Sequence, residues 1–314
     1  MKNVYTITLL LILPLLTEAQ IVINEILTQN YGSLTNLYDE DGDSPDYIEL
    51  YNTTNAAINI SGWKLVNEDN IWLIPNGVSL RSNSYLSIWA SGKDKSVNAL
   101  HTNFELGTKG EYLGLYDAQN NLVFDFGAKY PTQYNNLSYG VSTSGAFRYF
   151  NTITKGAANG NGLLGKVATP EVSTGRGYYY SSITETLQCA TPNATIRYTL
   201  DGKMPNLTSR LYNGPISITA NTSGIVTLRA KAFANGYAAS KEISISYIFP
   251  SRIFPNNLDA QKGMSSLPMV VLNQDDQFNL GSATKRRVAF EYFELDASNT
   301  MVGISENAAV NEFG

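Results

Sequence analysis

Carboxylates are the side chains most densely placed for chemistry in this sequence. Asp39, Asp41, Asp43, Asp46 and Glu49 fall within eleven residues around Gly42. A calcium ion takes roughly six to eight hard oxygen ligands, so five carboxylates folded around one turn could surround Ca2+. The spacing is not that of an EF-hand loop, which needs Gly sixth and Glu twelfth. Counted from Asp39, Gly42 is fourth and Glu49 eleventh. The competing reading is a solvated acidic turn that enters a strand at Ile48, its Asp side chains bonded to local amides.

Other chemistry is limited by composition. One His (His101) and one Cys (Cys189) cannot build a His/Cys zinc cage, and no intramolecular disulfide can form. A Ser-His-Asp triad would have to use His101, which stands among polar loop residues with no base or nucleophile partner that can be named; an ordinary hydrogen-bonded loop position is the favoured reading. The balance of 22 Lys+Arg against 27 Asp+Glu argues against nucleic-acid binding through phosphate neutralisation. Tyr178 and Tyr179, in the run Tyr178-Tyr179-Tyr180, could stack on a glycan, although aromatics at a strand start also pack a sandwich edge. Lys285-Arg286-Arg287 could attract phosphate, but three adjacent charges also suit a solvated turn. No complete catalytic set can be assembled, so neither a catalytic nor a cofactor-binding residue is assigned.

The elements that would hold these residues are strands. Among 314 residues there are 20 Tyr and 25 Gly, and only 16% are charged, a bias toward pleated surfaces and tight turns. Ile48 and Leu50 alternate with Tyr47, Glu49 and Tyr51, and Leu86 and Ile88 with Tyr85, Ser87 and Trp89. Short alternating runs separated by Gly/Asn/Ser clusters predict an all-β chain of sandwiches. Trp63, Trp72, Trp89, Phe104, Phe124 and Phe126 are the expected aromatic core of the first. Residues 161–166 read as a linker, and a second alternating set follows through Ile196, Ile216, Leu228 and Ile245. At the start, a basic Met1-Lys2, an apolar run from Val4 to Leu16 and Thr17-Glu18-Ala19 predict a signal peptide cleaved near Ala19. That run is shorter than the roughly 20 residues a membrane span needs, and no later stretch reaches that length.

Ordered motifs sharpen the reading. Ile23-Asn24-Glu25-Ile26-Leu27, Asp46 to Asn52, Ile60 to Leu65, Ser138-Tyr139-Gly140 and Thr154-Lys155-Gly156-Ala157-Ala158-Asn159 resemble the lamin-tail domain in its bacterial, secreted form. Lys155 stands where that family more often has Pro. The resemblance implies an immunoglobulin-like sandwich over 20–160 that serves as an interaction or attachment module. Ala194 to Gly202, Tyr212 to Ile216 and Ala230 to Tyr237 resemble the C-terminal domain of chitobiase and β-hexosaminidase, which implies a fibronectin III-like sandwich over 167–249. Residues 250–314 resemble the entry to a CotH-type kinase domain. Asn311 and Glu312 depart from the family's basic and apolar positions; the resemblance, carried by Leu267 to Leu272 and Val288 to Asp296, covers only the start of that domain and so implies an incomplete α+β segment.

The expectation is a secreted or cell-surface, non-catalytic binding or spacer protein whose partner could be a surface glycan or another protein. Two alternatives stand beside it: the N-terminal portion of a secreted CotH-like kinase, and a glycan-binding accessory module.

Overall fold

The computed structural model describes residues 20–274, 286–295 and 301–310, and the chain divides into two compact units, Met1–Gly162 and Leu163–Gly314. The segment read as a leader, Lys285, Asn311 and Glu312 lie outside the described residues. The described elements are mostly strands; Leu258–Ser265 is the longest of three helices among them, capped by Asn257, whose side chain accepts the Ala260 amide. No helix among the described residues is long and apolar enough to cross a membrane.

The first unit is a β-sandwich. One sheet runs in the order Phe147–Phe150, Ser138–Val141, Ile21–Leu27, Asp46–Asn52, Tyr85–Ala90; a second runs Ile71–Leu73, Lys64–Asn67, Leu113–Tyr116, Leu122–Asp125. Its core holds Ile21, Ile23, Ile48, Leu50, Leu65, Ile88 and Leu115, all wholly buried, and Trp72, Phe104 and Phe126 are buried as well. Trp89, expected in that core, alternates with Ile88 and packs instead in a separate cluster with Leu27, Leu37 and Tyr47. Trp63 and Phe124, expected in that core, are half-buried.

One irregularity positions the later chemistry. Ile21–Leu27 pairs with Asp46–Asn52 antiparallel, but the register slips between Ile23, opposite Leu50, and Glu25, opposite Glu49. Asn24 is the extra residue of a β-bulge, a device that re-aims side chains. A Cβ on Gly140, the residue opposite Glu25 on the other side, would lie 2.0 Å from the Asn24 carbonyl oxygen, so only Gly lets this strand approach the bulge.

The second unit joins a sheet in the order Gly177–Tyr178, Ile243–Ile248, Ile225–Phe233, Thr195–Thr199, Arg210–Leu211 to the small pairs Ile183–Glu185 with Ile216–Ile218 and Glu171–Val172 with Leu187–Gln188. Its core is Ile196, Ile218, Leu228, Ala230, Ala232 and Tyr247. The described part of 250–314 is no detached fragment. Met269–Gln274, Arg286–Leu295 and Met301–Val310 form an antiparallel three-stranded sheet, and Val271 and Phe293 bury themselves against Ile248 of the sandwich. Arg286 and Arg287, expected in a turn, lie within a strand.

Candidate functional site

The strands Asp46–Asn52 and Tyr85–Ala90 pair with Asp46 opposite Ala90, so the chain before Asp46 and the chain after Ala90 emerge at one end of the sheet. That places the acidic loop beside Lys93 and Lys95. Lys93 Nζ lies 2.6 Å from Asp39, 2.9 Å from Asp41 and 2.9 Å from Asp43. Lys95 Nζ meets Glu40 at 2.7 Å and Asp41 at 3.3 Å. Asp39 is the buried anchor of the loop. Its Oδ1 accepts the amides of Asp41 and Asp43 at 3.0 and 2.9 Å, while its Oδ2 takes Lys93.

Charge follows this geometry. Burial opposes ionisation of Asp39, but Lys93 and the two amides outweigh it and hold the carboxyl below its usual range. Lys95 is the main cause that brings Glu40 down to about 2, and Lys93, then Lys95, lower Asp41. The three aspartates raise the Lys93 ammonium and keep it charged.

His101 is wholly buried and bridges two loops. Its Nδ1 lies 2.8 Å from Ser91 Oγ and its Nε2 3.1 Å from Glu40 Oε2. The sequence offered His101 no partner; the fold supplies two. Ser91 Oγ also accepts the Lys93 amide at 3.2 Å, so the histidine ties the lysine loop to the acidic loop. Asp39, Asp41 and Asp43, and likewise Asp39, Glu40 and His101, place ligand atoms within 4.8 Å of one another.

Asp46 and Glu49 do not join them. Asp46 turns inward, where Oδ1 accepts the Gln29 amide and Oδ2 the Leu106 amide, and burial raises it to about 7. Two of the five carboxylates expected around calcium are therefore spent elsewhere, because strand pleat separates them from the loop. Glu49 lies on the sheet face covered by residues 153–159. There it accepts Asn24 Nδ2 at 2.9 Å, the Tyr47 hydroxyl at 2.5 Å and the Gly156 amide at 2.6 Å.

Opposite Glu49 stands a residue the sequence reading passed over. Glu25 is wholly buried, bonded to the Ser138 hydroxyl and 3.1 Å from the Thr154 amide. Burial, reinforced by Glu49, raises Glu25 to about 7. Asn159 closes the arrangement, donating to the carbonyls of Asn24 and Val141 at 2.9 Å each. The sequence signal existed, since Asn24-Glu25, Glu49, Ser138-Tyr139-Gly140 and Thr154 to Asn159 are motif positions that meet at one place.

The tyrosine pair is divided by the pleat. Tyr178 packs on Phe293, its hydroxyl bonded to the Leu267 carbonyl, whereas the Tyr179 ring lies against Tyr247 and Phe249. The two rings share no platform for a sugar; Tyr180 is the exposed member.

Residues 16–129 match the Lamin Tail Domain. Residues 174–244 match the Chitobiase/beta-hexosaminidase C-terminal domain. No curated protein matches the chain. The lamin tail match stops before Ser138, yet the Ser138–Val141 and Phe147–Phe150 strands complete the same sheet, and residues 154–159 supply partners to Glu25 and Glu49. Both matched regions are β-sandwich modules, which fits a non-catalytic binding or spacer role.

Proposed function

We propose that this chain is an exported modular protein whose two sandwiches bind or space other components at the cell surface, with no reaction of its own. The observation that carries the reading is how its chemistry-bearing side chains are used. Asp39, Asp41 and Asp43 hold Lys93, His101 joins Ser91 to Glu40, and Glu25 and Glu49 hold residues 154–159. Each such group is engaged in fastening one part of the fold to another, which suits a rigid module rather than a reacting centre. The basic and apolar start of the chain supports export.

Two measurements test this. Expression of the full chain in a secreting host should yield a product whose N-terminal residue is Gln20; a product retaining Met1 would remove the export reading. Calorimetric titration with Mg-ATP and a turnover assay should both be flat. Saturable binding with hydrolysis or phosphoryl transfer would replace the spacer reading with the kinase one.

A further inference from the structure

We propose that Glu25 and Glu49 form a one-proton latch, in which Glu25 carries the proton and Glu49 the charge, and that losing this proton unfastens residues 154–159 from the sheet. The assignment comes from counting donors. Glu49 faces Asn24 Nδ2 and the Gly156 amide, which can only donate, and the Tyr47 hydroxyl. A charged carboxylate accepts all three. Glu25 faces one obligate donor, the Thr154 amide, and two hydroxyls, Ser138 and Thr154. A hydroxyl has a single proton to give. The Asn159 amide nitrogen is occupied with two carbonyls, so its Oδ1 must accept, and the Thr154 hydroxyl is the group that meets it. That leaves Thr154 Oγ1, 3.3 Å from Glu25 Oε2, with a lone pair facing the carboxyl. A protonated Glu25 satisfies this arrangement; an ionised one does not.

The surroundings agree. Two carboxylates opposite each other in one buried register cannot both ionise cheaply. The ionisable groups facing the pair are Tyr47 on the strand of Glu49, Tyr85 on the next strand and Lys155 on the covering segment. Burial and Glu49 raise Tyr47, burial chiefly raises Tyr85, and both stay neutral donors. Burial raises Glu49 as well, but the three hydrogen bonds from Tyr47, Gly156 and Asn24, and then Lys155, which lies 4.8 Å over the Trp89 ring, favour its charge. Glu25 is raised above its ordinary value, so the native state binds the extra proton. The resulting stability is complete below the unfolded value and is lost as pH rises through about 7. Asp46 adds a slope of the same sign.

Trp fluorescence follows this unit alone, since the chain's three tryptophans are Trp63, Trp72 and Trp89. Thermal melts of the full chain at about pH 5 and about pH 8 should show the wild type losing several degrees. Glu25→Gln should lose less and melt above wild type at the higher pH. Glu49→Gln, which sets an amide NH2 against obligate donors, should melt below wild type at both. Parallel curves for wild type and Glu25→Gln, or equal losses for the two variants in acid, would overturn the assignment. Should Glu25→Gln fail to fold, carboxyl-carbon NMR of the wild type decides. A Glu titrating near neutrality together with the Thr154 and Gly156 amides supports the latch; every Glu titrating near about 4.3 refutes it.

Discussion

Lys93 Nζ stands 2.6 Å from Asp39 Oδ2, and the same ammonium reaches Asp41 and Asp43, so the point toward which three carboxylates turn already holds a cation of the chain itself. Asp41 and Asp43 are largely exposed, which keeps each of those two pairs weak on its own. Asp39 differs, because its side chain is sealed and its other oxygen organises the turn.

Calcium binding follows from this relationship. Millimolar Ca2+ should leave the melting temperature of the first unit unmoved in the wild type. Lys93→Met removes the internal cation and leaves three converging carboxylates, so this variant should melt lower without calcium and rise when calcium is added, by mass action on the native state. A clear calcium-dependent rise in the wild type would instead identify Asp39, Asp41 and Asp43 as metal ligands.

Gly140 is the second test. A methyl group there meets the Asn24 carbonyl at 2.0 Å and Glu25 Cα at 2.9 Å, backbone atoms with nowhere to go. Overpacking of this kind costs about 1–3 kcal/mol. Gly140→Ala should therefore lower the first melting transition by several degrees. Gly160→Ala, with no atom within 4 Å of the new methyl, should be near neutral. Equal effects of the two changes would mean that the bulge is not held as tightly as described.

Glu291 fastens the C-terminal sheet to the second sandwich. Wholly buried, it accepts from Ser244 Oγ at 2.7 Å and from the amide and hydroxyl of Ser246 at 2.9 Å each. Glu291→Ala would strip a buried amide of its acceptor, a loss on the order of 1–3 kcal/mol. Limited proteolysis should then cut first within 250–314 while the core around Leu228 and Tyr247 stays protected. Unchanged protease resistance would show that Val271 and Phe293 suffice to hold the sheet.

Modularity gives the fourth. Along the chain, the first unit ends at Gly162 and the second begins at Leu163. Residues 20–160 expressed alone should fold, with circular dichroism and amide exchange matching those of the same region in the full chain. An unfolded product would move the boundary.

Much of this architecture is legible in the residues themselves. Ile48 and Leu50 alternating with Tyr47 and Glu49 announce a strand, because a pleat sends neighbours to opposite faces whatever surrounds it. Gly/Asn clusters mark the turns, and the clustering of carboxylates at 39–43 is evident at sight. Local patterns record local geometry, and these features need no distant partner.

What only the tertiary structure decided is what lies over each face. Alternation places Glu49 on the side away from Ile48 and Leu50, which reads as solvent; residues 153–159, more than one hundred positions later, cover it and make it a buried acceptor. The bulge at Asn24 turns Glu25 to meet it, a slip of register that no count of alternating residues reveals. Lys93 likewise reaches Asp39 only because two strands pair and bring their ends together. In each case the chemistry belongs to groups far apart in the chain, and their partners are set by strand pairing and by the need to satisfy every buried polar group.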